Sequence, residues 1–444
     1  MLGFHFKLAI KSIKKTPWIS TVSILAISIG IAVATASTVL HHVLSRDPLP
    51  HKSENIYSVR IDTWEIGSEF FGIDPGDPPK TVTYMDMNAL LNKRQGKMET
   101  GVGNAAAYAF PEDKDIKPFQ ATVRLAHADF FPMFELPFRY GSGWTREDDV
   151  KRSPVVVLSE ECNDKIFGGA DSVGRTVKLG ALNLRVIGVL DTYNPTPMIY
   201  DPINSGTGPA MQFIVPFDHI RNPDSGLNIM GNTDSWGDNA TFQGDSLFTA
   251  AEYHWPQFWV ELEPGGEAAY KQFVDDYAAQ LKTMGRHPRP INNRVMPAMD
   301  WYHQWRSSTI GITRGVAIIS YLFLAVCAIN LMGLLLGKFL ARASLIGVHR
   351  ALGASRRSVF FQHILECEMV GLLGGVVGLG FSFLALIGLR SLLPSMPGFS
   401  SDIFRLDLFA VGVGVSLSLI AGLLAGLYPA WRACRVSPAI QLKV

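Results

Sequence analysis

The chain has 444 residues, more than one ordinary soluble domain requires, and 48% of them are hydrophobic while 18% are charged, below the usual share of about a quarter. The formal net charge of +1 provides no field that would attract nucleic acid. Only Cys162 of the four cysteines lies in the polar middle of the chain, which excludes a small disulfide-stapled fold, and no two cysteines are at metal-ligand spacing.

Residues 1–17 predict an amphipathic helix at the membrane interface. Lys7, Lys11 and Lys14 recur on one face and apolar residues on another, and Pro17 ends the pattern. A plain basic anchor for the following span is the alternative, and both interpretations can hold together.

Residues 18–44 predict the first transmembrane helix, because about 20 apolar residues suffice to cross a bilayer. The lysine-rich front and the Ala-Thr-Ala at 34–36 also suit a cleaved signal peptide. The apolar run is longer than a usual signal core, so an uncleaved anchor is favoured.

Residues 45–309 predict an extracytoplasmic α+β domain with two subdomains, because β-rich and helical runs intermix there without a regular alternation. The β-rich runs are 55–62, 119–127, 154–158, 184–190, 211–217 and 257–264. The helical runs are 83–94, 159–168 and 266–284, and Ser159 is placed to cap the second. The excursion 195–256 is rich in Gly, Asn, Asp and Pro and predicts a binding surface or a disordered loop.

No catalytic, cofactor or metal site is predicted in this domain. The stretch GGADSVGRT (168–176) approximates a phosphate-binding loop, but Arg175 stands where lysine belongs and β-like residues follow where a helix is required. Asp234 and Asp238 lie among asparagines, do not fit an EF-hand, and are interpreted as a solvated turn. We find no paired carboxylates, nucleophile elbow or His/Cys constellation in the sequence that would support an enzyme.

Three further transmembrane helices are predicted at 310–340, 367–393 and 406–431. Between them lie a loop or helix at 341–366 and a short outer loop at 394–405, and a tail follows at 432–444. Lys and Arg crowd the segment before the first span, the 341–366 loop and the tail. These flanks share one side only if there are four spans, so the positive-inside rule places both termini in the cytoplasm and residues 45–309 outside.

Small residues recur at helical spacing in three spans, and such stripes let membrane helices approach closely. Chance is the alternative, since glycine is common in membrane helices. The predicted packing positions are Gly30, Gly371, Gly375, Gly378, Gly422 and Gly426. The apolar cores contain no Asp, Glu or Lys in the sequence, so no ion path or proton relay is predicted.

Four stretches carry a family resemblance, in the same order as in the family. They are FKLAIKSIKKTPWISTVSILAISIGIA (6–32), VVVLSEECNDKIFGGADSVGRTVKLGALNLRVIGVL (155–190), IGVHRALGASRRSVFFQHILECEMVGLLGGVVGLG (346–380) and AGLLAGLYPAWRACRVSPAIQLK (421–443). They resemble the opening helix, periplasmic core, cytoplasmic loop with third span, and C-terminal signature of the MacB/FtsX-type permeases of ABC transporters, the type VII or mechanotransmission class. The resemblance covers most of the chain and is weakest at 195–256.

The resemblance implies a bacterial inner-membrane permease that is not itself an enzyme and binds no cofactor. It implies a second permease chain and two copies of an ABC-type ATPase that binds ATP and Mg²⁺. ATP hydrolysis would move the periplasmic domain and expel a substrate from the periplasm, in some members through a periplasmic adaptor and an outer-membrane channel. The alternatives are a regulatory transmitter, which senses a ligand or controls a cell-wall hydrolase, and a lipoprotein-extraction permease. Membrane lipid is an expected partner and nucleic acid is not.

In this family the loop between the second and third spans contacts the ATPase. The positions that carry over are Leu345, Ile346, Gly347, Arg350, Ala351, Leu352, Gly353 and Ala354. Leu345 departs from the pattern, because the family usually has glutamate before the Ile-Gly pair. The departure predicts an altered ATPase contact and slightly favours a heterodimer with a second permease over a homodimer.

Overall fold

A computed structural model describes residues 15–67, 76–193, 195–205, 211–236, 242–341, 355–392 and 408–434, with the single residues 12, 348 and 353. The chain divides into two compact units. One, the outer domain, is built from residues 46–307. The other, the membrane unit, is built from the helices that precede and follow it in the chain.

The helices and strands of the described residues are numbered here in chain order. The α-helices are α1 Pro17–Ser45, α2 Tyr84–Lys93, α3 Phe130–Met133, α4 Arg146–Lys151, α5 Glu160–Phe167, α6 Pro202–Ser205, α7 Ser246–Thr249, α8 Glu267–Thr283, α9 Ala298–Trp305, α10 Ser307–Leu340, α11 Arg356–Leu392 and α12 Leu408–Cys434. The strands are β1 Ile56–Arg60, β2 Met98–Phe110, β3 Phe119–Ala126, β4 Phe138–Gly141, β5 Val155–Leu158, β6 Thr176–Leu179, β7 Leu182–Leu190, β8 Phe213–Pro216, β9 Asn228–Met230, β10 Asp234–Ser235, β11 Tyr253–His254, β12 Gln257–Glu261 and β13 Arg294–Pro297.

Four of these helices, α1, α10, α11 and α12, are long and apolar enough to cross a membrane. They match the four predicted spans, with one difference in extent. Helix α11 begins at Arg356, eleven residues before the predicted start of the third span. At about 1.5 Å per residue its 37 residues are about 55 Å long, well beyond the roughly 30 Å of a hydrocarbon core.

One mixed sheet organises the outer domain. Its strand order is β13-β1-β12-β2-β3-β8-β5-β7-β4, with β6 pairing β2 and β7, and β9 pairing β2. The pairs β3–β8 and β5–β7 are parallel and the other pairs are antiparallel. The predicted α+β class is therefore confirmed, and the six predicted strands and three predicted helices are all present.

Each face of the sheet carries its own hydrophobic core. Successive side chains of a strand point to opposite faces, and on β5 Val156 and Leu158 belong to one core while Val155 and Val157 belong to the other. Helices α2, α5 and α8 cover the first face, and α3 and α9 cover the second. The sequence predicts two subdomains, but residues 46–307 form one compact unit, in which a single sheet carries a hydrophobic core on each face.

Strand β2 is the centre of the sheet and was not predicted. Its sequence, METGVGNAAAYAF, is poor in the β-branched and aromatic residues that mark strands. Two of its glycines allow close packing. A Cβ on Gly101 would lie 2.1 Å from Met87 Sδ, and one on Gly103 would lie 2.8 Å from the Trp255 ring. The small residues that let β2 pack closely against its neighbours have low strand propensity, so propensity alone does not identify β2 as a strand.

Part of the excursion 195–256 forms regular strands, which corrects the expectation of a disordered loop. Strand β8 lies between β3 and β5 inside the main sheet, so its part of the excursion belongs to the core rather than to a disordered loop. Strand β9 pairs antiparallel with β2, and β10 pairs with β11. The weak secondary-structure periodicity of this segment arises because its elements are short and are held by tertiary contacts.

The local predictions around the phosphate-loop-like stretch are confirmed. Ser159 Oγ accepts a hydrogen bond from the Cys162 backbone N–H, 3.1 Å away, and so caps α5. Gly168 ends α5 in the left-handed conformation at φ 66°. Strand β6 follows the stretch, so no helix N-terminus is present to bind a phosphate there.

Candidate functional site

The membrane unit has two ends that can be defined by their contacts. At the domain end, α1 finishes and α10 begins, on either side of the outer domain in the chain. At the loop end, Ser12, the last turn of α10 and the start of α11 meet around Glu366, and Cys434 Sγ of α12 lies 3.6 Å from the Arg356 carbonyl.

Glycines bring α11 against α1 without intervening side chains. A Cβ on Gly378 would lie 2.8 Å from the Ser28 carbonyl oxygen, and one on Gly374 would lie 2.2 Å from Ile27 Cγ2. Gly30 faces α10 instead, where a Cβ would be 3.0 Å from Leu324 Cδ1. A larger residue at Gly378 would press on backbone and force the helices apart, whereas at Gly374 and Gly30 it would require neighbouring side chains to shift.

The crossing of α11 with α12 has the same construction. A Cβ on Gly371 would lie 3.0 Å from Gly422 Cα, and one on Gly375 would lie 2.6 Å from Ser418 Cβ. A Cβ on Gly426 would lie 2.5 Å from Cys367 Cβ. All six predicted packing glycines thus lie at helix crossings, where missing side chains permit the dispersion contacts that hold membrane helices together.

Helix α10 is held differently from the other three. Its backbone makes few close approaches to α1, α11 or α12. At the domain end a polar seam joins it to α1 through side-chain oxygen and nitrogen atoms: Ser37–Ser320 at 2.8 Å, Thr38–Tyr321 at 2.6 Å and His41–Thr313 at 3.2 Å. Each such hydrogen bond contributes on the order of 0.6 kcal/mol between membrane helices.

At the loop end a buried group of polar side chains surrounds one carboxylate. Lys338 Nζ lies 2.6 Å from Glu366 Oε1, and the two side chains are 2% and 3% exposed. Ser12 Oγ donates to the same oxygen at 2.5 Å. His363 Nδ1 lies 3.8 Å from Glu366 Oε2, an electrostatic contact too long for a hydrogen bond. We call Ser12, Lys338, His363 and Glu366 the Glu366 cluster.

The expectation of a bundle without internal charge is therefore wrong at the loop end. Lys338 lies in the last turn of α10, and Glu366 lies in α11. From the sequence, Lys338 is interpreted as part of the basic flank between the second and third spans, and Glu366 as the last residue of the 341–366 segment. Their signal in the sequence was a lysine at the end of one apolar run and an acid just before the next, which suits an ion pair only if the two helices are adjacent.

The predicted ATPase-coupling residues lie almost entirely outside the described residues. This holds for Leu345, Ile346, Gly347, Arg350, Ala351, Leu352 and Ala354. Gly353 is described, and its φ of 98° is in the left-handed region that favours glycine. The amphipathic helix predicted at residues 1–17 likewise lies outside the described residues, except at positions 12 and 15–17.

The outer domain contains a buried cluster around Asp86, a residue of α2. Burial alone would raise the pKa of this carboxyl, but the hydrogen-bonding and charged groups of His287, Arg286 and Thr83 outweigh it and lower the pKa to about 2. Tyr277 also donates to Asp86 at 2.8 Å. The cluster ties α8 to α2 over the first face of the sheet.

A second buried carboxylate, Asp201, anchors the excursion. Arg124 Nη2 of β3 lies 2.9 Å from its Oδ2, and the two side chains are 1% and 0% exposed. Asp201 also accepts hydrogen bonds at 2.7–2.8 Å from the side-chain amides of Asn104, Asn204 and Gln257. Burial raises the pKa of Asp201, but these partners leave it below the usual value.

Neither carboxylate cluster has the geometry of a metal centre. Among the described residues, no group of three or more His, Cys, Asp or Glu could hold a metal ion. Asp234 forms an ion pair with Lys80 at 3.2 Å, and Asp238 lies outside the described residues. The described polar clusters fit a role in holding elements together.

Two family profiles cover most of the chain. The family described as MacB-like periplasmic core domain matches residues 20–269, more than half of the chain. The chain belongs to the MacB/FtsX-type permease family. The family described as FtsX-like permease C-terminal matches residues 317–438, which include most of α10 and all of α11 and α12. This MacB-like permease is therefore a membrane protein with an extracytoplasmic domain inserted after its first helix.

Curated relatives carry the MacB name. The chain is 21% identical over 447 residues to the macrolide export ATP-binding/permease protein MacB of Syntrophobacter fumaroxidans, covering 94% of this chain and 61% of the relative. It is 24% identical over 417 residues to the protein of the same name from Escherichia coli K12, covering 93% and 57%. The chain thus spans about three fifths of the length of these relatives.

Among solved structures, the periplasmic region of MacB from Actinobacillus actinomycetemcomitans is similar to this chain. The match has 15% identity and a TM-score of 0.36, and it covers 56% of this chain and 92% of the other.

Proposed function

We propose that the chain is the permease subunit of an ABC transporter. In this role it couples ATP hydrolysis by a partner ATPase to movement of the outer domain, which drives export of a substrate from the periplasm. The observation that carries the proposal is the family match along both parts of the chain. The printed names of the relatives, which join ATP binding with a permease and macrolide export, support efflux as the output.

The construction of the membrane unit favours mechanical transmission over a conventional channel. Three helices interlock through glycines, and the buried Lys338 and Glu366 at the loop end are paired with each other rather than arranged along a path. Helix α10 follows the last residues of the outer domain in the chain and is followed by the coupling segment. Its 34 residues, at 1.5 Å each, make it about 50 Å long. A continuous helix of this length can carry a displacement from one end to the other.

The assembly in this proposal has two permease chains and two ATPase copies. Both termini and the segment between α10 and α11 face the cytoplasm, as the basic flanks require, and the membrane is the bacterial inner membrane. ATP and Mg²⁺ bind to the ATPase and not to this chain. Leu345, in place of the family's usual glutamate, makes a second and different permease chain the favoured partner, and a periplasmic adaptor with an outer-membrane channel completes the export route.

The test is to purify the full-length chain from its native cells and identify what remains bound. We expect an ABC-type ATPase whose hydrolysis responds to the chain reconstituted in lipid nanodiscs. Charge reversal by Arg350→Glu, or Leu352→Asp, is expected to abolish that response while the protein still inserts. Arg357→Glu is the matched control, because it changes the positive-inside count equally at an exposed position of α11.

Three outcomes would contradict the proposal. They are ATP hydrolysis by the chain with no partner, a normal response in both coupling variants, and the absence of any bound ATPase. Recovery of one permease sequence in two copies would refute the heterodimer only. Release of a lipoprotein from the membrane, or activation of a peptidoglycan hydrolase, would replace export as the output while keeping the same coupling.

A further inference from the structure

The Glu366 cluster joins three separate parts of the chain at one carboxylate. Ser12 lies five residues before α1, Lys338 lies in the last turn of α10, and Glu366 itself lies in the third turn of α11. The Phe339 ring, next to Lys338, packs 4.1 Å from the His363 ring of α11. The two ends of the segment between α10 and α11 are thereby fixed to each other and to Ser12, which precedes α1.

Stability alone is a poor reason for this arrangement. Removing two charges from water is costly, and well-packed apolar residues of similar size often replace a buried ion pair without loss of stability. Ionisable groups inside membrane helices are for the same reason a signal of function. Here the pair has a geometric consequence that apolar residues would not reproduce, because one carboxylate oxygen accepts from both Lys338 and Ser12 and so sets the positions of two segments at once.

We propose that Glu366 is a positioning residue for energy coupling. It locks the residues before α1, the end of α10 and the start of α11 into one unit, so that force applied to the segment between Leu340 and Arg356 reaches α1 and α10 together. This inference rests on the proposed function, because that segment is the predicted ATPase contact. It adds the route by which the force leaves the segment.

The decisive variant removes both charges together. Lys338→Met with Glu366→Gln leaves no unpaired buried charge, so the protein is expected to insert and fold. The matched control is Arg139→Met with Glu160→Gln, which removes an ion pair of 2.9 Å in the outer domain. The single variant Glu366→Gln reports separately what happens when Lys338 loses its partner.

The first measurement uses the full-length chain alone in nanodiscs and follows hydrogen–deuterium exchange. The doubly neutral variant is expected to exchange faster than wild type at 330–340 and at 356–366, while the control variant matches wild type at both. The charge-exchanged variant, Lys338→Glu with Glu366→Lys, is expected to restore much of the protection. Unchanged exchange at both helix ends in the doubly neutral variant would overturn the lock, whatever the chain does with an ATPase.

The second measurement adds the co-purified ATPase and compares exchange in residues 46–307 before and after trapping with ATP and vanadate. Wild type and the control are expected to show a nucleotide-dependent change. In the doubly neutral variant this nucleotide-dependent change in exchange is expected to be at least about fivefold smaller, because fivefold is the lower bound of typical coupling between sites. The variant should still hydrolyse ATP. A change of wild-type size would show the pair to be merely structural. If wild type binds no ATPase, the proposed function fails and the first measurement alone decides the lock.

Discussion

A single methyl group added to α11 tests the glycine crossings. In the substitution Gly378→Ala, the new Cβ would lie 2.8 Å from the Ser28 carbonyl oxygen and 3.2 Å from Ile31 Cβ. The oxygen belongs to the backbone of α1 and cannot rotate away. An ordinary contact begins near 3.4 Å, so the helices must separate by about 0.6 Å, and overpacking of this kind typically costs about 1–3 kcal/mol.

Gly380 provides the control on the same helix. It is exposed, and a Cβ there would meet nothing within 4 Å. Gly380→Ala should therefore stabilise α11 by up to about 1 kcal/mol through helix propensity alone. The two substitutions change composition identically, so their predicted effects differ in sign for a reason that lies only in the packing of α1 on α11.

The assay is thermal or denaturant-induced unfolding of the full-length chain in detergent micelles, with an additional measurement of the reactivity of Cys327, which lies 3.2 Å from the Cβ position of Gly30. Gly378→Ala should unfold at lower temperature and expose the thiol sooner than Gly380→Ala. Equal stability of the two variants, or a less stable Gly380→Ala, would refute the argument that α1 and α11 approach through their glycines.

Three further predictions concern the outer domain. The pKa of Asp86 is about 2 when folded, so its contacts stabilise the domain above the unfolded value near 4 and this stabilisation is lost as pH falls from 4 to 2. About 2.5 kcal/mol of acid-dependent stability should vanish in Asp86→Asn, measured by urea unfolding across that range. Ser159→Ala removes the α5 cap and should cost about 1 kcal/mol in the same assay. Asp201→Ala strands the buried Arg124 charge and should cost about 3–5 kcal/mol, whereas Arg124→Met with Asp201→Ala should recover a large part of it.

Local patterns predicted six strands and three helices of the outer domain because those elements carry their own signals. Three of the four residues of Val155–Leu158 are β-branched valines, and α5 has both a serine cap and a C-terminal glycine. Strand β2 has no such signal, because its glycines and alanines are selected by the side chains that pack on them. Strands β9, β10 and β11 of the excursion depend likewise on partners that are distant in sequence, which no local pattern can contain, whereas β8 carries its own β-rich pattern.

In the membrane unit, too, some features could be predicted from the sequence and others could not. The glycine positions could be predicted because a repeat of three or four residues places them on one helix face. The Glu366 cluster could not, because Ser12, Lys338 and Glu366 lie in three segments whose adjacency follows only from the folded bundle. The absence of Asp, Glu and Lys from the apolar cores even disfavoured such a cluster, because charges are counted there along each span and not between spans.

The contrast between the two kinds of contact says which helix is able to move in the proposed mechanism. Helices α1, α11 and α12 interlock at backbone distance, so sliding any one of them would force atoms together, as at Gly378 and Ser28. Helix α10 has few such approaches. Its side chains pack in the apolar core of the bundle, and its polar attachments are the Lys338–Glu366 pair at the loop end and the polar seam at the domain end. Breaking one partner of a buried ion pair costs about 3–5 kcal/mol, whereas the three seam contacts together amount to about 2 kcal/mol. Of the two polar attachments the seam is the weaker, so we expect α10 to pivot about Glu366, with its displacement growing toward Ser307.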